Sequence, residues 1–425
     1  MKRLLVALLL GVAALLALVL FLNFRGEDKI HDVPPLTPPA GEKVARGAYL
    51  VRAGNCMACH TERGGAPFAG GRAVETPFGT VYAGNLTPHR ASGIGDWSPD
   101  HFWRALHNGR SRDGRLLYPA FPYPNYTRVT RDDSDAMYDY LRSLPPVDRP
   151  NTGHRLRWPY STQPALAVWR ALHFKPQTHE EERSQSADWN RGFYLVSALG
   201  HCSACHSPRN ALGATSDMMD LSGGLVPMLN WYAPSLASPL EAGVADWELE
   251  QIVRLLQTGA AGGATASGPM AEVVLRSTQH LTPSDLRAMA VYLKALPQNT
   301  ADAPPAEATP TTTEVAERGA RLYGQHCAKC HGEQGEGVAN AYPALAGNRA
   351  VTLPATANLV QIVLGGGFAP ATAGNPRPFG MPPYATVLGD SDVAAILSHI
   401  RASWGNKAPA VSEFMVSRQR GSAGP

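Results

Sequence analysis

Three cysteine pairs carry the chemistry that this 425-residue sequence offers. All six cysteines lie in three copies of Cys-x-x-Cys-His, namely Cys56, Cys59 and His60; Cys202, Cys205 and His206; and Cys327, Cys330 and His331. The two thiols of a copy stand about one helical turn apart, so each can form a thioether to a haem vinyl group. The adjacent histidine can then stand under the iron as an axial ligand. The motif predicts three covalent c-type haems (heme c) per chain.

A redox dithiol or half of a zinc site would also use a cysteine pair. A zinc site needs further Cys or His ligands in pairs, and the sequence places none at a suitable spacing. No cysteine remains for a disulfide. Three copies in the same repeated setting favour haem attachment over both alternatives.

The second axial ligand is expected in the loop before the last helix of each repeat, where a methionine would raise the reduction potential. The third repeat offers Met381 in the segment Phe-Gly-Met-Pro-Pro-Tyr, and the second offers Met270 in a Gly-rich loop. We predict both as iron ligands. The first repeat has Phe121 at the matching place, and phenylalanine cannot ligate iron.

Other side chains of the first repeat offer weaker ligands. Met137 aligns with core positions of the last helix, and the pattern of the middle helix predicts a solvated face for His101 and His107. His89 is a further outside candidate. The sixth position of the first haem is therefore open or unassigned, and we hypothesise a five-coordinate iron or an unusual ligand, at a different potential from the other two.

Helical patterns position these groups, and they recur with each cysteine pair. A helix with an Arg-Gly step precedes each pair, at Arg46-Gly47, Arg191-Gly192 and Arg318-Gly319. Because glycine is costly inside a helix, its recurrence predicts that another helix passes closely over it. A last helix with a capping residue and an acidic first turn follows each pair, after Val129, Leu281 and Leu388. Middle helices are predicted to end at Gly109, Gly259 and Gly365.

The N-terminus predicts a membrane segment. Lys2 and Arg3 precede an almost wholly apolar run from Leu4 to Phe24, long enough for the hydrocarbon core of a bilayer. The basic pair favours a cytoplasmic N-terminus. A cleaved signal peptide is the alternative, although its apolar core is usually shorter and ends at a small-x-small site. Either interpretation exports the rest of the chain, and we expect an inner-membrane protein with its haem domains in the periplasm.

The predicted fold class is all-α, with three tandem class I cytochrome c domains after a single N-terminal transmembrane helix. Strand signals are sparse. The predicted segments are an anchor (1–26), domain 1 (42–148), a linker (149–187), domain 2 (188–297), a Pro/Thr-rich linker (298–313), domain 3 (314–405) and a flexible tail (406–425).

The chain resembles the three-haem cytochrome c subunit of membrane-bound bacterial dehydrogenases over nearly all of residues 41–404. The resemblance rests on the haem motifs and on segments 118–123, 140–146 and 200–210. It implies a catalytic partner, either a quinoprotein, a flavoprotein or a molybdenum hydroxylase, and transfer of electrons to ubiquinone or a terminal oxidase. Many relatives carry methionine where Phe121 stands, and this departure slightly favours the molybdenum-hydroxylase branch.

We expect electron transfer without substrate chemistry, so the chain is not an enzyme on its own and has no catalytic residue. No nucleotide loop or recognisable nucleophile is present. The alternative is a peroxidase-like or gas-binding haem enzyme that uses an open sixth position on the first haem. A sensor would need an output domain, and none is visible. The formal charge of +3 lacks a strong basic block, which gives nucleic-acid binding no support.

Overall fold

The computed structural model describes residues 1–31, 41–215, 219–299 and 312–422. They divide into two compact units. The first unit consists of Met1–Arg183, Tyr194–Ala204 and Arg209–Asp220, and the second of Ser184–Phe193, Cys205–Pro208 and Leu221–Pro425. The first repeat lies wholly in the first unit and the third wholly in the second, whereas the second repeat contributes residues to both. The predicted bounds of the three cytochrome c domains therefore remain a prediction.

Helices dominate the regular structure, as predicted. They are α1 (Lys2–Phe24), α2 (Gly41–Ala53), α3 (Cys56–His60), α4 (Pro99–Asn108), α5 (Tyr123–Tyr126), α6 (Arg131–Ser143), α7 (Gln163–His173), α8 (Ala187–Tyr194), α9 (Ser203–His206), α10 (Leu249–Thr258), α11 (Gly268–Arg276), α12 (Pro283–Lys294), α13 (Thr313–His326), α14 (Ala328–His331), α15 (Arg349–Thr352), α16 (Ala357–Gly365), α17 (Asp390–Ala402) and α18 (Glu413–Ser422). A π-helical turn continues α8, and a 3₁₀ turn precedes α12; they are Leu195–Leu199 and Thr278–His280.

Nine short strands correct the all-α prediction for the described residues. Strands β1 (Ala73–Thr76), β2 (Gly79–Tyr82) and β3 (Arg155–Leu156) form one antiparallel sheet in that order. Three two-stranded pairs follow, consisting of β4 (Gly224–Val226) with β5 (Trp231–Ala233), β6 (Ala260–Ala261) with β7 (Ala264–Thr265), and β8 (Gly367–Phe368) with β9 (Gly380–Met381). Strands of two to four residues are too short to show the alternation that identifies a strand in a sequence.

The first and last helices of each repeat cross at the predicted glycine. A Cβ atom added to that glycine would overlap a backbone carbonyl oxygen of the last helix. The contacts are Gly47 on Ala136, Gly192 on Ala288 and Gly319 on Ala395. Only a residue without a side chain permits this approach, so the repeated glycine sets the helix crossing.

The arginine before each glycine pairs with an aspartate in the first turn of the last helix. The pairs are Arg46–Asp133 at 2.5 Å, Arg191–Asp285 at 2.7 Å and Arg318–Asp392 at 2.6 Å. A carboxylate near a helix N-terminus is also stabilised by the helix dipole. The Arg-Gly step therefore holds the helix pair together both through an ion pair and through close backbone contact. The sequence pattern predicted the close backbone contact but not the ion pair.

Helix α1 has the length and composition of a membrane span. Its 23 residues, almost all of them apolar, extend over about 34 Å at 1.5 Å per residue. Most of its apolar side chains, such as Leu9 and Leu16, are exposed. Its last turn packs on the rest of the first unit, where Asn23 is buried.

The C-terminal segment corrects a second prediction. Residues 406–425 are predicted as a flexible tail, yet α18 packs on the third repeat with Val416 fully buried. Arg420 pairs with Asp390 at 2.6 Å. Phe414 and Met415, the other large apolar side chains of α18, are exposed, so the helix shows little apolar periodicity in the sequence. The tail's last three residues and most of the predicted linker 298–313 lie outside the described residues.

Candidate haem-attachment sites

The three motif histidines make the same hydrogen bond. In each, Nδ1 lies within hydrogen-bond distance of a backbone carbonyl oxygen from a following loop. The pairs are His60 with Gly84 at 2.7 Å, His206 with Pro234 at 2.7 Å and His331 with Pro343 at 2.9 Å. Because a carbonyl oxygen only accepts, Nδ1 carries the proton and donates. This fixes the tautomer and leaves Nε2 with a free lone pair, which is the state of a histidine that ligates a metal.

Burial sets the protonation of these groups. It lowers the pKa of His60, His206 and His331, so the rings stay neutral at physiological pH. Burial and the neighbouring thiol raise the pKa of Cys56 to about 12 and that of Cys327 to about 11. A free thiol at either place would be protonated and a poor nucleophile, unlike the activated cysteine of a redox dithiol.

A bare metal ion does not suit these sites. Within the described part of the chain, no cluster of three or more His, Cys, Asp or Glu side chains could hold one. A haem asks less of the protein, since its porphyrin supplies four of the six iron ligands. One neutral histidine beside two thiols fits the covalent attachment of a c-type haem.

Met381 lies where the third repeat needs a second ligand. It ends strand β9 and pairs with Gly367 of β8. Its side chain packs on the same hydrophobic cluster as Cys327, Ala328 and Tyr384. Tyr384 in turn donates a hydrogen bond from its hydroxyl to the carbonyl oxygen of His326, the residue before the motif. The fold thus brings the predicted methionine and the third motif to one cluster.

Met270 stands in the first turn of α11. The loop before it packs against strand β5, because a Cβ at Gly268 would overlap the ring of Trp231. The same strand leads to Pro234, the carbonyl partner of His206. The strand therefore connects the predicted methionine with the histidine of the second motif.

Phe121 takes part in an aromatic cluster in the first repeat. Its ring lies 5.5 Å from that of Tyr126 and 6.3 Å from that of Tyr123. Tyr126 donates a hydrogen bond to the carbonyl oxygen of Gly54, two residues before Cys56 of the first motif. This matches the role of Tyr384 in the third repeat. Phe121 therefore packs on the tyrosine that contacts the backbone ahead of the first cysteine pair, and its correspondence to Met381 stays a prediction.

The other candidate ligands of the first repeat have structural roles. Met137 is buried in α6, as predicted for a core side chain. His101 Nδ1 completes the cap of α4 through Ser98, and His89 Nδ1 lies 2.7 Å from Ser92 Oγ.

The predicted solvated face of the middle helix is wrong for the first repeat. His101 and His107 are both buried. The segment after α1 covers this helix, since His31 binds Asp100 and Asn108 donates to the carbonyl oxygen of Gly26. Nothing in the local pattern of α4 could reveal a cover supplied from so far along the chain.

Sequence reasoning missed a set of polar contacts between the first repeat and the turn before the second motif. Asn125 Nδ2 donates to the carbonyl oxygen of Ser197 at 3.0 Å and to Ser203 Oγ at 2.8 Å. His201 packs edge-on against Tyr126 and hydrogen-bonds the Gly54 backbone. These contacts place the turn before Cys202 against α5 and against Gly54, two residues before Cys56. In the sequence, only the Gly-His pair before Cys202 could have indicated these contacts.

Known proteins agree with this chemistry. A cytochrome c family model matches residues 44–145 and 316–404. The chain is 37% identical to the cytochrome c subunit of the quinone-dependent alcohol dehydrogenase of Gluconacetobacter polyoxogenes, over 92% of this chain and 86% of that protein. It is 36% identical to the gluconate 2-dehydrogenase cytochrome c subunit of Pantoea cypripedii, over 96% and 93%.

A nicotinate dehydrogenase subunit of Pseudomonas putida is 38% identical over 89% of this chain, which covers 32% of that longer protein. The cytochrome c match identifies the cofactor as covalently attached haem c. Similarity over almost the whole chain to several dehydrogenase subunits shows the family. The chain belongs to the cytochrome c subunits of bacterial dehydrogenases, which are electron-transfer rather than catalytic subunits.

Proposed function

We propose that this chain carries three haem c groups and relays electrons from a periplasmic dehydrogenase to ubiquinone or a terminal oxidase. The observation that supports it best is the repeated Nδ1–carbonyl hydrogen bond of His60, His206 and His331. Because the same hydrogen bond fixes the same tautomer in all three histidines, each can serve as an equivalent axial iron ligand. Haem iron supplies one-electron chemistry by cycling between its ferrous and ferric states.

The protein's contribution is to hold each group and set its potential. Nε2 of each motif histidine and the thioethers of Met270 and Met381 would provide the axial ligands, with covalent links to Cys56, Cys59, Cys202, Cys205, Cys327 and Cys330. Methionine ligation raises the potential of the second and third sites. Phe121 offers no ligand, so the first site differs from the other two in potential.

The contacts of Asn125 and His201 support a relay between the first two sites. Within the first unit, they hold the turn around Cys202 against α5 and against Gly54, two residues before Cys56, and so fix the separation of these segments. Electron transfer by tunnelling needs such a fixed separation. Positioning is thus the role that we assign to Asn125.

We further propose that α1 is a retained anchor in the inner membrane, with the haem domains in the periplasm. Asn23 supports retention. Its Nδ2 donates to the carbonyl oxygens of Val19 and Ala167, and its Oδ1 accepts from Arg170 Nε. Removal of α1 as a signal peptide would leave the buried guanidinium of Arg170 without this partner.

The relatives suggest the kind of partner. Their names specify dehydrogenases of alcohol, gluconate and nicotinate, so the partner of this chain is a catalytic dehydrogenase of quinoprotein, flavoprotein or molybdenum-hydroxylase type. The departure at Phe121 slightly favours the last of these.

Haem content tests the first part of the proposal. The full chain is produced with a working cytochrome c maturation system, and the mature polypeptide is weighed. We expect three added haem masses, and two after Cys202→Ala/Cys205→Ala. Fewer than three haems in the unmodified chain would contradict the proposal.

A separate experiment tests the relay. The chain is purified from its native membranes in mild detergent together with its bound subunits, which are identified by mass spectrometry. We expect a dehydrogenase subunit to copurify, and its substrate to reduce the haems. Decylubiquinone should then reoxidise them. Haems that the substrate of a copurified dehydrogenase leaves oxidised would contradict the proposal.

A further inference from the structure

The last turn of α1 determines how close to the membrane the residues packed on it lie. The helix is about as long as the hydrocarbon core is thick, so its C-terminal turn lies at one membrane–water interface. That turn packs against α7, where Asn23 meets Ala167 and Arg170. The backbone of α7 is therefore held within one helix width of the interface.

Helix α7 keeps apolar side chains exposed beside this contact. Its buried side includes Leu166 and Arg170. Val168 is 47% exposed and Leu172 is 66% exposed. Residues four apart lie on the same side of a helix, so these two side chains form one apolar stripe. Among the described residues, the packing of the first unit thus leaves most of Leu172 uncovered.

The loop leading into α7 adds two exposed aromatic side chains. Trp158 is 82% exposed and Tyr160 is 40% exposed. Tyr160 rests on the ring of Phe78, which holds its end of the loop in place. Tryptophan and tyrosine are enriched at membrane interfaces because an apolar ring with one polar atom suits the headgroup level. A soluble surface would give no reason for a nearly fully exposed tryptophan.

We propose that Trp158, Tyr160, Val168 and Leu172 form a lipid-contact face, which inserts into the headgroup region of the leaflet where α1 ends. The lipid surface is the occupant that the structure favours, because this face continues from the last turn of α1, which packs on α7. The inference rests on the proposed membrane anchor. It adds a second membrane contact, which would stop the first repeat from swinging about its anchor and keep it at a constant height above the bilayer.

Photo-crosslinking to lipid tests this face directly. The full haem-loaded chain is reconstituted into phosphatidylcholine vesicles that contain a phosphatidylcholine with a diazirine near the glycerol. After illumination, tryptic peptides are mapped by mass spectrometry. Cleavage after Arg157, Arg170 and Arg183 separates the aromatic loop and most of α7 from the rest of the chain. We expect lipid adducts on α1 and on peptides 158–170 and 171–183.

Matched variants sharpen the test. Val168→Asn/Leu172→Asn should reduce adducts on these two peptides several-fold and leave those on α1 unchanged. Leu240→Asn, at an apolar residue of the second unit that is 50% exposed, should change neither. Haem spectra of each variant confirm that it is folded.

The possible results separate the two claims. Adducts on α1 without adducts on peptides 158–170 and 171–183 would overturn the lipid-contact face and leave the anchor intact. Absence of adducts from α1 as well would overturn the anchor and this inference together. Adducts on both peptides that persist in the double variant would show that the proposed side chains do not form the contact.

Discussion

Arg170 donates a hydrogen bond from Nε to Oδ1 of Asn23 at 3.0 Å, and both side chains are buried. Both polar atoms of the Asn23 amide therefore form hydrogen bonds, since its Nδ2 also donates to carbonyl oxygens on α1 and on α7. Arg110 also donates to the carbonyl oxygen of Asn23 at 3.1 Å. The end of a hydrophobic helix is thus built into the fold of the first unit.

Replacing Asn23 with leucine should destabilise the first unit. The change leaves the Nε group of Arg170 buried without this acceptor, and an unsatisfied buried polar group costs about 1–3 kcal/mol. We expect the free energy of unfolding to fall by this amount in urea titrations of the detergent-solubilised chain. Phe21→Leu, on the exposed side of the same helix, is the control and should have little effect. Equal stability of Asn23→Leu and the unmodified chain would contradict the role of this contact.

Two glycines of α13 should respond to alanine in opposite directions. Gly319→Ala forces a Cβ into the carbonyl oxygen of Ala395, and overpacking of this kind costs about 1–3 kcal/mol. Gly324→Ala meets no atom within 4 Å and removes a flexible residue from the helix, which should stabilise it by about 0.5–1 kcal/mol. Thermal unfolding of both variants checks the pair. A destabilising Gly324→Ala or a neutral Gly319→Ala would be inconsistent with the described helix crossing.

Met381→Ala should convert the haem of the proposed third site to a high-spin, five-coordinate state. Loss of the thioether removes the ligand that raises the potential, so the midpoint of that haem should also fall. Electron paramagnetic resonance and a redox titration measure the two effects. Met289→Leu, a volume-conserving change at a buried methionine of α12, should leave both signals unchanged. A Met381→Ala spectrum with the same spin states as the unmodified chain would assign the ligand elsewhere.

The contact of Asp100 in α4 with the segment after α1 should stabilise the protein less at acid pH. Although burial raises the pKa of Asp100, hydrogen bonds from the His31 amide, from Arg131 and from the His31 ring lower it from 3.8 to about 2. A carboxyl group with a lowered folded-state pKa stabilises the protein above the unfolded value. This contribution is lost as the pH falls from 3.8 through about 2.

Urea titrations of Asp100→Asn across this pH range measure that contribution. At neutral pH the variant should be less stable by about 1 kcal/mol or less, because solvent screens a partly exposed ion pair. The difference in stability between the variant and the unmodified chain should vanish at the acid end of this pH range. Asp113→Asn, at an exposed aspartate of the same unit, is the control. A deficit in Asp100→Asn that stays constant with pH would rule out the proposed titration.

The chemistry of the chain could be predicted from its sequence because it is local. A cysteine pair and the following histidine occupy one helical turn, so their spacing alone predicts a haem attachment site. The repeated Arg-Gly step predicted the helix crossing for a similar reason, since only glycine permits such close contact. The core position of Met137 also followed from its place in a repeated pattern, and the same pattern brought Met381 to the cluster that holds the third motif.

Long-range contacts were decided by the tertiary structure alone. His107 is buried with its Nδ1 on the carbonyl oxygen of Thr127, twenty positions along the chain, and the tail is ordered because Val416 packs into the core of the third repeat. Asn125 reaches Ser203 across 78 positions of the chain. Periodicity reports which side of an element is apolar, but it carries no information about which distant segment covers that side. In this protein the sequence predicted which residues attach and ligate haem, because that chemistry is local, and tertiary packing decided which distant segments cover the elements that carry them.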